Sequence, residues 1–455
     1  MNVAGGQMIF GLIVGIALLV FLILRTKIHA FLALIISSVV TGLIGGMPGN
    51  AVLDAITNGF GSTLGSIGII IGFGVMMGRI FEISGAAERM AQTFIKKLGK
   101  GKEEIALSIT GFLVSIPIFC DSGFIILSPL AKAISRKTKK SMVTLGVSLA
   151  AGLVITHSLV PPTPGPVGVA GIFGINVGSL ILWGIILAIP MTLATIAYAK
   201  YIGKEIYQLP DESGLGWIRP EYQEPVYDLD FYDDEEKLPS TFLSFAPIII
   251  PIILILLNTV ISAIGAEGVM VNVISFIGTP VIAVGIGLIL SIYGLAGGYS
   301  KEETLEYMED GIKSAGIIIL VTGGGGALGT VLRESGAGDY IANLIAKTSL
   351  PPILLPFIIS SLVRLIQGSG TVAMITAASI TAPILGNLNA DPVFGALAAC
   401  TGSLIFSYFN DSFFWVVNRM MGITDAKEQI KVWSVTTTIA WAVGLLGLLI
   451  INAIF

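Results

Sequence analysis

The chain has 455 residues, of which 54% are hydrophobic and 12% are charged, and its mean hydropathy is +0.91. So apolar a composition excludes a soluble globular protein and predicts an all-α polytopic membrane protein surrounded by lipid. The formal net charge is -4 and the short basic clusters form no dense patch, so no nucleic-acid partner is expected.

Ten apolar runs are long enough to cross, or nearly cross, a bilayer. In chain order they are residues 7–24, 30–46, 59–79, 142–160, 179–199, 242–262, 273–296, 314–332, 393–408 and 433–453. The first run follows no positively charged leader or cleavage signal, so it is predicted to remain as a span.

Lysine and arginine residues predict which side of the membrane each loop faces. They cluster near residues 25–27, 96–102, 132–140 and 200–204, and they are absent from the loops near 45–58, 174–178 and 263–272. The positive-inside rule assigns the basic clusters to the cytoplasm. It therefore predicts a protein of a bacterial-type inner membrane with its N- and C-termini outside.

Residues 105–131 lie between two basic clusters, yet Asp121 is their only charged residue. Because both ends are predicted to be cytoplasmic, the segment should enter and leave the membrane from one side. Pro117 and Gly123 interrupt the helix, which predicts a re-entrant hairpin. Its predicted tip consists of Cys120, Asp121 and Ser122. Non-helical backbone at that depth needs protein or a watery cavity beside it, so the tip is a candidate site.

A second segment of the same kind covers residues 352–390. It starts at Pro351 and Pro352 on the outside and returns there near Pro392. The same argument predicts a second re-entrant hairpin from the opposite side of the membrane. Its predicted tip consists of Gly368, Ser369, Gly370 and Thr371.

An internal repeat relates the two halves of the chain. A shift of 251 residues pairs Gly72, Gly74, Gly78, Ser84, Gly85, Ala86 and Ala91 with Gly323, Gly325, Gly329, Ser335, Gly336, Ala337 and Ala342, and a shift of 247 pairs Ser122 and Gly123 with Ser369 and Gly370. Five spans and one hairpin per half make an odd number of crossings. Residues 1–204 and 241–455 are therefore predicted to be inverted repeats, an architecture of secondary transporters, joined by an acidic cytoplasmic linker, 205–240, that is solvated and without chemistry.

Two of the spans contain breaks. Four prolines between 161 and 166 predict a broken helix at 156–166, and the stretch "SYFNDSFFW" predicts another at 409–412, with Asn410, Asp411 and Ser412. A broken helix exposes free amides, and the N-terminus of a half-helix carries a partial positive charge that suits an anion. Two breaks and two hairpin tips are thus predicted to meet in one pocket near the membrane midplane.

Four ionisable residues lie at membrane depth, where an isolated charge is unfavourable and usually functional: Asp121, His157, Arg364 and Asp411. Asp121 and Asp411 are candidates for the coupling ion or the substrate, because burial favours the neutral form of a carboxylic acid and lets it take up and release a proton. Arg364 either binds a substrate carboxylate or neutralises an aspartate. His157 makes a structural hydrogen bond or relays a proton.

Cysteine and histidine are too scarce for a disulfide framework or a metal centre, so neither a metal nor a cofactor is predicted. Cys120 and Cys400 are the only cysteines, and His29 and His157 are the only histidines.

At these motifs the chain resembles the gluconate permease (gluconate:proton symporter) family, within the broader ion transporter superfamily, over nearly its whole length. The motifs are "FCDSGFIILSPL" at 119–130, "THSLVPPTPGPVGVAG" at 156–171, "RLIQGSGTVAMITAA" at 364–378 and "NDSFFW" at 410–415. The resemblance implies a homodimeric carrier that takes up sugar acids or small hydroxy or amino acids with protons. It also implies an elevator mechanism, in which a substrate-binding unit moves against a fixed scaffold.

Matching the family position by position adds Thr163 and Gly165 to the pocket. The predicted substrate contacts are then Ser122, Gly123, Thr163, Gly165, Arg364, Ser369, Gly370, Thr371, Asn410 and Ser412, and the coupling-ion candidates are Asp121, His157 and Asp411. Three positions depart from the family pattern. Thr163 and Tyr408 stand where histidines are common, and Phe413 replaces a glycine. The resemblance therefore implies a less basic pocket of different size, which puts gluconate itself in question.

Three other functions were weighed. Sodium symport fits the same hairpin tips, because Ser, Gly and Asn residues and free carbonyls also suit a hard cation. An intramembrane enzyme would use Asp121 and Asp411 as a pair, or Ser122 as nucleophile, but H-E-x-x-H, G-x-S-x-G and phosphate-loop motifs are absent. A passive channel does not need broken helices that meet hairpin tips. The preferred prediction is a non-enzymatic importer of a small organic anion by proton symport.

Overall fold

The computed structural model describes residues 5–98, 101–211, 216–225, 238–264, 268–336, 351–388, 390–408 and 411–455. Most of these residues are helical, and one antiparallel pair of two-residue strands lies between the two halves of the chain. The prediction of a helical protein with apolar helices is confirmed. Its inverted repeat and the re-entrant nature of its hairpins stay predictions.

In the first half the helices are α1 (Gly5–Arg25), α2 (Ala30–Ile44), α3 (Gly49–Ser84), α4 (Ala86–Leu98), α5 (Glu103–Val114), α6 (Cys120–Thr138), α7 (Met142–Leu159), α8 (Pro164–Phe173) and α9 (Val177–Glu205). The strands are β1 (Leu209–Pro210) and β2 (Trp217–Ile218). In the second half the helices are α10 (Thr241–Ile264), α11 (Val269–Ile277), α12 (Pro280–Leu295), α13 (Lys301–Glu334), α14 (Leu354–Gln367), α15 (Gly370–Leu385), α16 (Pro392–Gly402), α17 (Ser412–Met420) and α18 (Ala426–Gln429). A π-helical turn, Ile430–Ser434, leads into α19 (Val435–Ile454).

Each of the ten predicted runs contains a helix, but few of the described helices are both long enough and apolar enough to span by themselves. Among the described residues, four stretches meet the length and apolarity of a span: Met142–Phe173, Val177–Glu205, Thr241–Ser262 and Ala426–Ile454. Two bent pairs also qualify if each pair counts as one span: Gly49–Gly65 with Gly68–Ser84, bent by 46°, and Val269–Ile277 with Pro280–Leu295, bent by 63°. Within the predicted apolar run 393–408, α16 ends at Gly402.

The long helices α3 and α13 pack side by side through glycines. A Cβ atom at Gly59 would lie 2.5 Å from the carbonyl oxygen of Gly326, and a Cβ atom at Gly326 would lie 2.7 Å from the carbonyl oxygen of Gly59. Any side chain at these positions would push the two backbones apart, so glycine is what permits the close approach. Three of the predicted repeat pairs lie in these two helices: Gly72 with Gly323, Gly74 with Gly325 and Gly78 with Gly329. Ala337 and Ala342 of the predicted repeat lie outside the described residues.

A second group of helices, which we call the hairpin unit, consists of residues 103–173 and 354–420. Within it α5 and α6 pack on α7, α14 and α15 pack on α16, and α15 and α16 both contact α8. The contact between α5 and α7 is equally tight, because a Cβ atom at Gly152 would lie 2.1 Å from the carbonyl oxygen of Ser108. The hairpin unit therefore combines elements of both halves of the chain.

The two ends of the α5–α6 pair meet at one end of the hairpin unit. Lys140 donates from Nζ to the carbonyl oxygen of Gly101 at 2.9 Å and forms ion pairs with Glu103, at 2.7 Å, and with Glu104. Lys200 of α9 also pairs with Glu104, at 2.8 Å. The start of α5 and the end of α6 therefore lie next to each other, as expected for a re-entrant hairpin. We call this end of the molecule the basic face; Lys139, Lys140, Lys200 and Lys204 line one cavity there.

The break between α5 and α6 lies earlier in the chain than predicted. It covers residues 115–119, whereas Cys120, Asp121 and Ser122 already form the first turn of α6. Gly123 does not interrupt the helix as predicted. It is buried in α6, where a Cβ atom would meet Leu153 Cδ2 at 2.7 Å, so it serves close packing. The second hairpin breaks at Gly368, with φ of 89°, and Ser369, both within the predicted tip.

The first broken helix is interrupted between Leu159 and Pro164, inside the predicted range 156–166. The second is interrupted between Gly402 and Ser412, so its break begins earlier than the predicted 409–412.

Side chains from the last part of the chain explain the early start of the second break. Thr437 Oγ1 accepts a hydrogen bond from Ser407 N at 3.0 Å, and Ser434 Oγ donates to the carbonyl oxygen of Ser407 at 2.5 Å. Trp433 Nε1 donates to Ser407 Oγ at 3.0 Å. These partners replace the hydrogen bonds that a continuous helix would make, and they compensate for the interruption.

The linker, predicted to be solvated, is packed against the protein in its described first part. Tyr207, Gln208 and Leu209 are buried. Gln208 accepts a backbone hydrogen bond from Met142 N at 2.8 Å and donates from its side chain to the carbonyl oxygen of Met421. Arg219 forms a two-pronged contact with Glu428, both distances being 2.7 Å. We call this packed part of the linker the strap; it contacts Met142 of the hairpin unit and the residues that follow the unit at Met421 and Glu428. Residues 212–215 and 226–237 lie outside the described residues.

Candidate functional site

A cavity of about 310 Å³ lies inside the hairpin unit. It is bounded by the start of α6, the end of α7, the break between α14 and α15, the break between α16 and α17, and one residue of α19. Both halves of the chain contribute to its wall. The residues that line it are Cys120, Asp121, Val154, His157, Ser158, Arg364, Gly368, Ser369, Gly370, Thr371, Ser403, Leu404, Asp411, Ser412, Phe413 and Thr437.

Three helices begin at this cavity. The first residues of α6, α15 and α17 are Cys120, Gly370 and Ser412, and all three line it. Each N-terminus leaves backbone N–H groups without intrahelical acceptors and carries a partial positive charge. Ser369 and Asp411 cap two of these helices: Ser369 Oγ accepts from Val372 N and Asp411 Oδ1 accepts from Phe413 N. The remaining N–H groups make the cavity suitable for an anion.

Arg364 and Asp411 form a buried ion pair in the wall. Arg364 Nη2 lies 2.5 Å from Asp411 Oδ2, and the two residues are only 6% and 8% exposed. Ser407 Oγ donates a further hydrogen bond to Asp411. The arginine thus does neutralise an aspartate, one of the two predicted roles. Its Nε has no acceptor among the described residues, so a donor remains for a ligand.

Asp121 and His157 also carry polar atoms without partners. Asp121 Oδ1 and His157 Nδ1 are buried and have no hydrogen-bond partner in the described part of the chain. The His157 ring lies against the ring of Phe119, with centroids 5.7 Å apart. A buried polar atom without a partner destabilises the fold by about 1–3 kcal/mol. Three residues that line one cavity, including Arg364, thus each have a buried polar atom without a described partner, which makes them candidates for binding a polar ligand.

Most of the residues predicted for the site line this cavity. They are Asp121, His157, Arg364, Ser369, Gly370, Thr371, Asp411 and Ser412. Asn410 lies outside the described residues.

Four predicted residues lie elsewhere. Ser122 faces a different cavity, on the other side of α6. Gly123 is packed against Leu153, and Thr163 donates its hydroxyl to the carbonyl oxygen of Val160 at 2.7 Å. Gly165 packs beside the tip of the second hairpin, because a Cβ atom there would lie 2.8 Å from Met374 Sδ. None of these four residues lines the central cavity; they lie in the layer of residues next to its wall.

Ser158, Ser403 and Thr437 line the cavity but are not among the residues predicted from the sequence. Ser158 lies next to His157, so the predicted break already pointed to it. Thr437 belongs to α19, and its only signal is the run of three threonines from 436 to 438 in an otherwise apolar helix. Hydroxyls in such a helix are the usual polar contacts between membrane helices, so the run was a usable clue.

The sequence and fold were compared with known proteins. The chain matches the family described as GntP family permease over residues 7–454. It is 50% identical over 455 residues to an uncharacterized permease of Haemophilus influenzae, covering 98% of this chain and 92% of the relative. It is 35% identical to the high-affinity gluconate transporter and to the Gnt-II system L-idonate transporter of Escherichia coli, each alignment covering 97% of this chain and 98% of the relative.

Two solved transporters have a similar fold. The YdaH transporter of Alcanivorax borkumensis has a TM-score of 0.61 at 15% identity, covering 93% of this chain and 98% of that one. MtrF of Neisseria gonorrhoeae has a TM-score of 0.63 at 16% identity, covering 93% and 96%. At these identities the likeness concerns the fold alone. The match over almost the full length and the relatives above 30% identity show that this chain, an integral inner-membrane permease, belongs to the GntP permease family.

Proposed function

We propose that this permease imports a sugar acid, or a related small hydroxy acid, by proton symport. The observation that carries the proposal is the cavity in which three helix N-termini meet an arginine with an unused donor. The full-length relatives named as gluconate and L-idonate transporters support the same substrate class.

The polar groups of the cavity match the functional groups of such a molecule. The N-termini of α15 and α17 and Arg364 Nε can bind the carboxylate, because these groups are donors with positive character. Asp121 Oδ1 and His157 Nδ1 can accept hydrogen bonds from substrate hydroxyls. A volume of about 310 Å³ lies at the lower end of the range of small-molecule pockets, about 300–1,000 Å³, which fits a compact acid.

Asp121 is the best candidate for the proton-binding group. Asp411 is held by Arg364 and Ser407, so its negative charge is already neutralised. Asp121 has an oxygen without a partner in the described part of the chain and sits in the same cavity. We infer that protonation of Asp121 and anion binding at Arg364 favour each other, because the neutral acid removes a negative charge that would otherwise repel the anion in a buried site.

The packing also supports an elevator mechanism with α3 and α13 in the scaffold. The hairpin unit contains the whole cavity except for Thr437, whereas α3 and α13 contribute none of the lining residues. We further propose that the basic face is cytoplasmic, because the lysines gathered there obey the positive-inside rule. The two termini then lie outside. A homodimer is proposed on the family resemblance alone.

Uptake by purified protein in liposomes tests the function. We expect gluconate or L-idonate to accumulate when the outside is more acidic than the inside, and we expect Asp121→Asn to abolish that accumulation. Asp54→Asn is the matched control, because Asp54 is exposed on α3, away from the cavity. Replacement of sodium by choline at constant pH should leave uptake unchanged. An uptake rate that depends on sodium and does not change with the pH gradient would refute proton symport.

A further inference from the structure

A second cavity, of about 190 Å³, lies directly behind the first hairpin break. One wall is formed by α3 around Gly78 and Arg79 and by Asp310 of α13, and the other by the break itself, including Phe119 and Ser122. It therefore separates the hairpin unit from the helices proposed as scaffold. No residue lines both this cavity and the central one.

A single turn of chain separates the two cavities. Cys120 and Asp121 line the central cavity, whereas their neighbours Phe119 and Ser122 line the second one. Phe119 has extended backbone angles, φ of -62° and ψ of 142°, and no side-chain cap precedes α6 at this residue. Its ring rests on the ring of His157, which lines the central cavity. Phe119 therefore lies between the two spaces, with its ring against a residue of the central cavity.

A third cavity, of about 390 Å³, lies against the face of α13 that corresponds to the α3 face of the second cavity. The α3 residues of the second cavity are Val75, Gly78, Arg79 and Glu82; the α13 residues of the third are Gly326, Gly329, Thr330 and Arg333. Each lies 251 residues after its counterpart, the same shift that defines the internal repeat. The corresponding faces of α3 and α13 therefore border corresponding cavities.

The two hairpins do not meet these faces at corresponding points. A Cβ atom at Gly78 would lie 2.1 Å from the carbonyl oxygen of Pro117, within the first break. At Gly329 the nearest atom would be the carbonyl oxygen of Ser379, at 3.2 Å. Ser379 lies ten residues beyond the second break at Ser369, a distance of about 15 Å along a helix. The hairpin unit is thus displaced from the symmetric position, toward the basic face.

The displacement and the single turn of chain between the two cavities lead us to a mechanism for access. We propose that the first hairpin break is the gate through which an anion passes between the central cavity and the basic face, and that Phe119 is the side chain that closes this gate. The second cavity is then the vestibule of that gate. The third cavity is the vestibule of the opposite state, reached when the hairpin unit moves away from the basic face. The inference rests on the proposed function, because it names the path by which the same site is reached.

Cys120 provides a reporter for the gate, since it lines the central cavity and Cys400→Ala leaves it as the only cysteine. A membrane-impermeant methanethiosulfonate is applied to sealed vesicles of either orientation. We expect Cys120 to react faster from the basic face than from the opposite face. Phe119→Ala should raise the rate from the basic face by about tenfold, because it removes the side chain that closes the wall. Phe242→Ala, on the exposed surface of α10, is the control and should change neither rate.

A second variant keeps the test decisive if Phe119→Ala fails to fold. Ser122→Cys, in a protein that also carries Cys120→Ala and Cys400→Ala, places a thiol in the vestibule outside the gate. It should react from the basic face faster than Cys120 does. Equal rates for Cys120 from both faces, or a faster reaction from the opposite face, would overturn the gate. Labelling needs no transported substrate, so this result stays separate from a failure of gluconate uptake.

Discussion

The two halves of the chain supply different chemistry to one cavity. The first half contributes Asp121 and His157, each with a buried polar atom that lacks a partner among the described residues. The second half contributes Arg364 and Asp411, which are paired at 2.5 Å. The second half thus supplies a fixed pair of charges with one unused donor, Arg364 Nε, whereas the first half supplies two further polar atoms without described partners and no ion pair in this cavity.

The hairpin breaks differ in the same way. The first covers residues 115–119 and leads into α6 without a side-chain cap. The second contains Gly368 and Ser369, and Ser369 caps the helix that follows. The first break has a hydrogen bond of its own, from Ser115 Oγ to the carbonyl oxygen of Ile118 at 3.2 Å, but no side chain holds the first turn of α6 as Ser369 holds that of α15. This contrast agrees with a gate in the first half and a rigid anion site in the second.

Arg364→Gln should give the largest effect, since it breaks the fixed pair of the second half. Loss of one partner of a buried ion pair destabilises a protein by about 3–5 kcal/mol, because the other charge stays buried. We expect a lower unfolding temperature and loss of substrate uptake. Thermal unfolding in detergent and uptake in liposomes measure the two effects.

Arg25→Gln, at the exposed end of α1, is the control for this substitution. The double variant Arg364→Leu, Asp411→Leu removes both charges, so it should recover much of the lost stability but none of the uptake. If Arg364→Gln were as stable and as active as the unchanged protein, the contrast between the halves would be wrong.

Thr437→Val tests the support of the second break. The substitution keeps the shape of the side chain but removes the hydroxyl that accepts from Ser407 N. The buried N–H would lose its partner, at a cost of about 1–3 kcal/mol. We expect a lower unfolding temperature together with weaker substrate binding, as measured by ligand-induced thermal stabilisation. Thr57→Val, at an exposed site in α3, should leave both unchanged.

Ser369→Ala should have a smaller effect. It removes the cap of α15, and loss of a helix cap typically destabilises by about 1 kcal/mol. Ser369→Asp and Ser369→Gly separate the cap from the substrate contact. Glycine should keep most of the stability, whereas aspartate should keep the cap but repel the anion. Unchanged uptake by the aspartate variant would contradict an anion site at this break.

The smallest expected effect concerns acid stability at the basic face. Burial raises the pKa of Glu104, but hydrogen bonds from Lys140 and Lys200 lower it by more, so the net pKa lies below its usual value of 4.5. A carboxylate with a lowered pKa stabilises the fold above its ordinary pKa, and this contribution disappears as the pH falls through the lowered value.

Glu104→Gln should therefore reduce stability near neutral pH and flatten its decline below about pH 4.5. Unfolding temperatures measured between pH 3 and pH 7 test this. Glu221→Gln, in an exposed part of the linker, is the control. If the unfolding temperatures of Glu104→Gln and of the unchanged protein fell in parallel with pH, the ion pairs of Glu104 at the ends of the first hairpin would add no stability.

The features that the sequence predicted well are those with local causes. Apolar runs located every long helix, and the Gly-Ser pair at 368 and 369 located the second break because glycine readily adopts positive φ. The isolated Asp121 was informative for the same reason, since a charge among apolar residues needs a cavity or a partner.

The features that escaped prediction depend on distant contacts. The second broken helix opens at 403 because Ser434 and Thr437 bind the backbone at Ser407, about 30 residues earlier in the chain. Gly123 was taken for a helix breaker, whereas the nearby Leu153 determines its role. The packed part of the linker depends on Met421, a partner 213 residues from Gln208. No local pattern encodes such pairs.

The strap has a mechanical consequence for the proposed elevator. Its Arg219 pairs with Glu428 of α18, while Leu238 and Pro239 accept hydrogen bonds from Arg89 of α4, outside the hairpin unit. Residue numbers 225 and 238 differ by 13, and a chain of that length can reach about 45 Å when fully extended. Chain connectivity therefore limits the proposed stroke to movements that keep residues 225 and 238 within about 45 Å of each other.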